Sequence, residues 1–207
     1  MRFVIDRQGN LSDIEVARTS NNFMLDQAAN RALTKQLDAL QPLADRRRKK
    51  GEEAVPLQAG FMALDPRNGH IRAWVGSRDF ATEQFDHVNQ ARRQPGSTFK
   101  PFVYGAAFDM GIPANETLMD APVAIQIDRN KVWKPTDVGA GPTGQPMTLR
   151  EGLARSKNTI TAQLMMRVGP SRVADLARSM GVRESKLEAV PSLALGTSPV
   201  TLKEMVA

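Results

Sequence analysis

Cysteine is absent from the 207 residues, which excludes disulfides, thiolate nucleophiles and thiolate zinc sites. Its absence fits cytoplasm and periplasm alike and leaves the compartment open. Histidine is almost absent too: His70 and His87 are the only two. They stand apart with no spaced partner, which reads as surface or satisfied core residues rather than metal ligands. No metal and no cofactor is expected, and a Ser-His-Asp triad is disfavoured. Aromatic residues make up 5%, so the core falls to Leu, Val, Ala and Met. The ten Met residues point to an adaptable interior. No stretch approaches the roughly 18 apolar residues of a membrane span. The start, Met1-Arg2-Phe3-Val4-Ile5-Asp6, meets an acid at once, unlike a signal peptide.

What is present is ordinary for a soluble globular protein: 41% apolar and 24% charged residues. The length allows one domain with a real core, or one domain and a short appendage. A net charge of +6 with a pI near 10.0 favours acidic partners such as nucleic acid, anionic lipid or an anionic cell-wall polymer. Part of the excess is the run Arg46-Arg47-Arg48-Lys49-Lys50, which reads as a solvated linker. No aromatic residues interleave with it and no nucleic-acid motif follows, so no nucleic acid is expected as partner.

Along the chain, Phe3-Val4-Ile5 and Ile14-Glu15-Val16 read as strands around the turn-rich Asp6-Arg7-Gln8-Gly9-Asn10. Leu25, Ala28, Ala29, Ala32, Leu33, Leu37 and Leu40 recur at helical spacing and predict an amphipathic helix over 24–43, with a linker at about 44–56. A second unit then opens. Residues 61–64 and 71–75 are strand-like around Asp65-Pro66-Arg67-Asn68-Gly69, whose chemistry suits a hairpin turn. Residues 76–96 look irregular, and a helix is predicted from Ser97 to about Met110. Residues 112–147 are loop-rich, with strand candidates at 123–127 and 131–133. Capping boxes at Thr148–Glu151 and Thr201–Glu204 mark helix starts. Between them, helices are expected over 159–168 and 171–180, the latter with Val173, Leu176, Ala177 and Met180 on one face. The chain stops inside the last helix, which reads as truncation. The organisation expected is therefore 1–55 (strand-turn-strand, helix, basic linker) and 56–207.

Two motifs carry chemistry. Ser97-Thr98-Phe99-Lys100 puts a hydroxyl and an amine three residues apart on one helix face. A serine hydroxyl is a poor nucleophile without an adjacent base. A lysine near a helix N-terminus feels the positive end of the dipole, and burial adds to that effect, so Lys100 can serve as a neutral base. The Ser97 backbone N–H could form half of an oxyanion hole. Ser156-Lys157-Asn158 lies between two predicted helices. It could be a helix cap only, or supply a proton-passing hydroxyl at Ser156 and a substrate-holding amide at Asn158.

In this order, about sixty residues apart, the motifs match the family with Ser-x-x-Lys, Ser-x-Asn and Lys-Thr-Gly signatures. Arg93-Gln94-Pro95-Gly96-Ser97-Thr98-Phe99-Lys100-Pro101-Phe102 resembles the nucleophile segment of class A penicillin-binding proteins, as does Ala63-Leu64-Asp65-Pro66-Arg67-Asn68-Gly69 before it. Leu195-Gly196-Thr197-Ser198-Pro199-Val200-Thr201-Leu202 resembles the segment that follows Ser-x-Asn there. The resemblance covers about 56–207 and, more loosely, 19–55. It implies an α+β class: the N-terminal part of a penicillin-binding/β-lactamase-like transpeptidase fold, an antiparallel sheet with a helical subdomain, here incomplete. It implies Ser97 as acyl-enzyme nucleophile, Lys100 as its proton acceptor, Ser156 as proton relay and Asn158 as substrate orienter. The partners implied are peptidoglycan stem peptides ending in D-Ala-D-Ala, and β-lactams acting on the same serine. The implied place is the periplasmic face of the bacterial inner membrane, with a membrane anchor only in the intact protein.

The third signature, Lys-Thr-Gly, does not occur in the sequence. In the family it lies on a strand that binds the substrate carboxylate and supplies the other oxyanion donor, so this chain alone is expected not to turn over substrate. Pro142-Thr143-Gly144 lacks the lysine and precedes Ser-x-Asn. Gly139-Ala140-Gly141-Pro142-Thr143-Gly144 fits G-x-G-x-x-G literally but lacks the strand–turn–helix context of a dinucleotide site. The start, Val4 to Asn10 with Thr19-Ser20 and Leu25-Asp26-Gln27-Ala28-Ala29, also resembles the C-terminal domain of TonB-type energy transducers over 1–33. Two alternatives stay open: a serine β-lactamase or β-lactam sensor, and a non-catalytic periplasmic binding or scaffold domain. Against the first, no Glu-x-x-x-Asn follows Asn158 to activate water.

Overall fold

The computed structural model describes residues 2–5, 11–15, 23–49, 51–137, 139 and 141–206. Two compact units form: Met1–Ala91 with Thr201–Ala207, and Arg92–Val200. The sequence boundary at 55/56 follows composition, whereas these units follow contact. Helices and antiparallel strand pairs mix in one chain, an α+β structure.

In the first unit β1 (Arg2–Ile5) pairs with β2 (Leu11–Glu15), Val4 opposite Ser12. The turn expected at 6–10, Val16 and much of the TonB-like stretch lie outside the described residues. Helix α1 (Phe23–Arg46) outruns its predicted end. It continues through Pro42, because a proline near the helix end removes only one late backbone bond. Of its apolar stripe only Leu37 is buried, while Leu25, Leu40 and Leu43 are exposed. Polar contacts help to seat it: Asp26 accepts the Trp74 N–H at 3.0 Å, Asn30 Nδ2 donates to the Arg78 carbonyl at 3.0 Å, and Asp38 pairs with Arg78. Arg46 to Lys49 are exposed, as a solvated run requires.

Strands β3 (Phe61–Leu64) and β4 (Ile71–Val75) form the expected hairpin, Met62 opposite Trp74. Met62, Trp74 and Val88 make its core, with Leu64, Ile71 and Leu202 packed against it. His70 is exposed. His87 departs from the expectation of a surface or satisfied residue: its ring sits edge-on to Phe85, and Nε2 is buried without a hydrogen-bond partner among the described residues.

In the second unit a two-residue strand, β5 (Arg92–Arg93), precedes a 3₁₀ turn, Gly96–Phe99, and α2 (Lys100–Asp109). The predicted helix thus starts as a 3₁₀ turn and becomes α-helical at Lys100. Strands β6 (Thr117–Met119), β7 (Ile125–Asp128), β8 (Lys131–Trp133) and β9 (Pro146–Thr148) follow. β7 pairs with β8, and β6 with β9. Then come α3 (Leu149–Ala154), α4 (Asn158–Val168), α5 (Pro170–Ser179) and a 3₁₀ turn, Pro191–Leu195. Thr148 caps α3 by accepting the Glu151 N–H at 3.2 Å, as its capping box predicts. On α5, Val173, Ala174 and Ala177 are buried, but Met180 is exposed beyond the helix end. Phe99, Val103, Tyr104, Ile160, Leu164 and Val173 are among the fully buried residues that support α2 and α4. Met62, Met147 and Met165 are buried, whereas Met24, Met110, Met119, Met166 and Met180 are exposed, so methionine serves the interior only in part. The short β10 (Val200–Thr201) and α6 (Leu202–Val206) close the chain, Thr201 and Glu204 forming the expected reciprocal cap. No described helix is long and apolar enough to cross a membrane.

Candidate active site

The site is built from three turns of the second unit. The first carries Ser97. Gly96 has φ +60°, a left-handed conformation that glycine adopts without a Cβ penalty. Thr98 Oγ1 donates to the Pro95 carbonyl at 2.7 Å, and the Lys100 N–H donates to the Ser97 carbonyl. In a 3₁₀ turn residues three apart eclipse, so Ser97 and Lys100 share a side. Ser97 is exposed, and its Oγ makes no hydrogen bond among the described residues. Phe99, fully buried against Phe102, anchors the turn from beneath.

Lys100 is 1% exposed. Its Nζ donates to the Ser156 carbonyl at 2.5 Å, to Ser156 Oγ at 3.0 Å and to Asn158 Oδ1 at 2.7 Å. Burial pushes its pKa down to about 8, against the pull of the Asp137 charge. Lys100, Ser156 and Asn158 are therefore joined directly, while the Ser97 hydroxyl stays outside this hydrogen-bonded set.

The second turn is Ser156-Lys157-Asn158. The α3 helix ends with the Ser156 N–H on the Leu153 carbonyl at 2.9 Å and the Lys157 N–H on the Gly152 carbonyl at 2.8 Å. This pair of bonds is a Schellman closure, which puts Ser156 at the left-handed position that glycine usually fills. Its φ is +54°, a conformation costing an L-residue about 1–2 kcal/mol. Strain of this kind persists where surrounding contacts over-determine it. Here both the carbonyl and the hydroxyl of Ser156 bond Lys100. Ser156 is thus no N-cap of the next helix: Lys157 holds that position, without a side-chain cap.

Below lie residues that sequence reasoning missed. Lys157 Nζ pairs with Asp120 at 2.9 Å and Asp137 at 2.8 Å, all three side chains nearly or fully buried. Asp120 also accepts Thr159 Oγ1 at 2.6 Å and the Thr143 N–H at 2.8 Å. Pro142-Thr143-Gly144, without the lysine of the third motif, thus wraps Asp120. Burial acts to raise the Asp120 pKa, but the bonds from Thr159, Thr143 and Lys157 hold it at about 2. The Asp137 hydrogen bond raises the Lys157 pKa despite burial. Asp137 Oδ1 also takes the Asn158 N–H at 2.6 Å, and Asn158 Nδ2 donates to the Thr136 carbonyl at 2.6 Å. The one local signal was a lysine inside Ser-x-Asn at a buried helix start. Its partners lie too far along the chain for any spacing rule to link them.

The third turn buttresses the first. Gly196 has φ +65°, and a Cβ there would lie 2.4 Å from the Gly96 oxygen and 2.6 Å from its nitrogen. Gln94 Nε2 donates to the Thr197 carbonyl at 3.0 Å. The Leu195–Thr197 segment thus supports the Ser97 turn by backbone-to-backbone approach.

The family model of the penicillin binding protein transpeptidase domain matches residues 59–194. The chain is 40% identical over 147 residues to penicillin-binding protein 1A of Neisseria meningitidis serogroup A, covering 70% of this chain and 18% of that protein. It is 36% identical over 151 residues to penicillin-binding protein 2D of Bacillus subtilis, covering 72% and 22%. The crystal structure of penicillin-binding protein 1A from Haemophilus influenzae superposes with a TM-score of 0.66 at 32% identity, covering 76% of this chain and 24% of that one. The chain thus spans about a fifth of the length of these curated relatives. With the family model matching well over half of it, the chain belongs to the penicillin-binding protein transpeptidase domain family.

Proposed function

We propose that this chain carries the acyl-transfer centre of a peptidoglycan D,D-transpeptidase, with Ser97 as nucleophile. The observation that carries the reading is Lys100: a buried amine whose pKa falls to about 8, held by Ser156 and Asn158 one 3₁₀ turn from an exposed serine. A base poised near ambient pH is what proton abstraction from a hydroxyl needs. Ser97 Oγ attacks the carbonyl carbon of the penultimate D-Ala while its proton passes to Lys100. The tetrahedral adduct collapses with cleavage of the C–N bond. The proton moves from Lys100 through the Ser156 hydroxyl to the departing nitrogen, and terminal D-Ala leaves. An amine from a neighbouring stem then attacks the ester, gives up a proton by the same route, and restores Ser97. Asn158, fixed by Thr136 and Lys100, orients the peptide. Penicillin meets the same serine through its lactam carbonyl.

The reaction belongs to a longer protein working at the periplasmic face of the inner membrane. Substrate carboxylate binding and the second oxyanion donor belong to Lys-Thr-Gly, which this sequence lacks. The test is labelling with a fluorescent penicillin read by intact mass. It is applied to this chain, to a form extended through Lys-Thr-Gly, and to Ser97→Ala of each. A stoichiometric adduct on the extended form that vanishes in Ser97→Ala is expected, with weaker or no labelling of the 207-residue chain. No adduct on a folded extended form overturns the reading. The acylation rate should rise with pH through about 8, since Lys100 acts only when deprotonated.

A further inference from the structure

The reaction outlined above makes no use of Asp137. It lies on the segment between β8 and β9, and its side chain is 5% exposed. It accepts the Asn158 N–H at 2.6 Å, the Lys157 ammonium at 2.8 Å and, more weakly, Thr159 Oγ1 at 3.4 Å. The residue before it, Thr136, takes Asn158 Nδ2 on its carbonyl. One dipeptide therefore fixes both the backbone and the side-chain amide of Asn158, whose Oδ1 faces Lys100 Nζ. A loose Asn158 would leave the buried ammonium short of an acceptor, which is costly in a desolvated site.

The charges around Lys100 are few. The nucleophile turn Gly96–Phe99 and the Pro191–Leu195 turn bring none. On α3, Glu151 and Arg155 pair with each other at the surface at 2.8 Å, and Arg150 is exposed. The last turn of α4 carries Arg167, which pairs with Glu116, and α5 pairs Arg178 with Asp175 and exposes Arg172. Lys134 is exposed, and one turn along α2 stands the buried Tyr104 phenol. What remains is the buried group beneath the turn: Asp137, Asp120 and Lys157. Two anions and one cation leave one negative charge, which a protonated Lys100 neutralises.

We propose that Asp137 is a positioning residue for Lys100: through Asn158 and Lys157 it fixes the turn that holds the amine. The proposal rests on Lys100 being the base. Burial lowers the Lys100 pKa and Asp137 opposes it, so removing the charge without the shape should lower it further. Asp137→Asn does this at the Asn158 contact, where an amide oxygen still accepts the N–H, while its amide nitrogen gives up the pair with Lys157, which keeps Asp120. Asp137→Ala removes both.

The test has two arms. In the first, the 207-residue chain is labelled in its lysine side chains, and Lys100, assigned by its loss in Lys100→Arg, is titrated by NMR in wild type and Asp137→Asn. The midpoint should fall by about one pH unit in the variant. In the second, acylation by a soluble penicillin is followed against pH on this chain and on the extended form. In Asp137→Asn the acid limb should move down by the same amount, with a smaller loss of plateau than in Asp137→Ala. In Asp137→Ala the plateau should drop roughly 10- to 100-fold, as misplacement of a catalytic group does. An unchanged Lys100 midpoint in Asp137→Asn overturns the proposal, and so does a folded Asp137→Ala with wild-type plateau. If Asp137→Ala does not fold, Asp137→Asn decides. If wild type takes no acyl group, the assignment of Ser97 fails, while the NMR midpoint still decides the role of Asp137.

Discussion

Two three-membered charge groups of inverse make-up stand in this molecule, one carboxylate between two cations and one cation between two carboxylates, and they differ in where the cations sit. At the tip of the β3–β4 hairpin, Asp65 takes Arg67 at 3.0 Å and Arg72 at 2.6 Å. Under the Ser156–Asn158 turn, Lys157 takes Asp120 and Asp137 at 2.9 and 2.8 Å. The distances are alike. Yet Arg67 and Arg72 are 85% and 49% exposed in their side chains, whereas Lys157 is 10% exposed. Asp65 is itself only 6% exposed, but losing either arginine side chain leaves it the other and the Arg67 backbone N–H. Nothing can replace Lys157, because losing it strands two carboxylates out of water. Ion-pair length alone therefore says nothing about what a pair holds together, and burial decides.

The largest effect expected follows directly. Lys157→Met leaves Asp120 and Asp137 buried without their cation, and breaking a buried pair from one side costs about 3–5 kcal/mol. Urea unfolding of wild type and variant measures it. A loss below about 1 kcal/mol would place the buried group in the same class as the hairpin tip and dissolve the contrast.

Ser156 sharpens the contrast from the other side, since its strain is local and its contacts are with the buried Lys100 amine. Ser156→Gly relieves a left-handed serine worth about 1–2 kcal/mol, against the loss of the 3.0 Å bond to Lys100, worth about 1 kcal/mol, and greater freedom in the unfolded chain. Stability should therefore change by no more than about 1 kcal/mol. Acylation of the extended form should nonetheless fall roughly 100-fold, because the proton relay is gone. If the glycine variant acylates at the wild-type rate, the hydroxyl passes no proton and Ser156 serves the turn alone.

Local chemistry was readable in the sequence; distant pairing was not. The hairpin at 61–75 followed from Asp-Pro-Arg-Asn-Gly between apolar runs, and the caps at Thr148 and Thr201 followed from glutamates three residues on. Each signal lies within a few residues of what it specifies. The ribbon of β6 with β9 escaped notice because three-residue strands nearly thirty positions apart show no periodicity, and one starts on Pro146. Ser97, Lys100, Ser156 and Asn158 were picked from motif order, and the structure joins the last three of them by hydrogen bonds. The buried support did not emerge for the same reason as the ribbon: Asp120 and Asp137 reach Lys157 only through the fold. The 3₁₀ start of the Ser97 helix depends on a partner too, since Gly96 lies against the backbone of Gly196.

The smallest expected effect lies at the hairpin tip, and it makes the comparison two-sided. Asp65 is held well below the ordinary carboxylate range by Arg67 first and Arg72 second, yet such a shift on a solvent-facing turn does not translate into stability. Asp65 would keep Arg72 and the Arg67 backbone N–H, the latter at 3.0 Å, if the Arg67 side chain were removed. The turn itself also rests on the Asp65 N–H to the His70 carbonyl and the Gly69 N–H to the Asp65 carbonyl, which Arg67 does not touch. Arg67→Ala should therefore leave the urea midpoint almost unmoved, and salt should shrink even that small change by screening the exposed pair. A loss as large as that of Lys157→Met, or one insensitive to salt, would mean that the exposed arginine is held as firmly as Lys157, and burial would no longer separate the two groups.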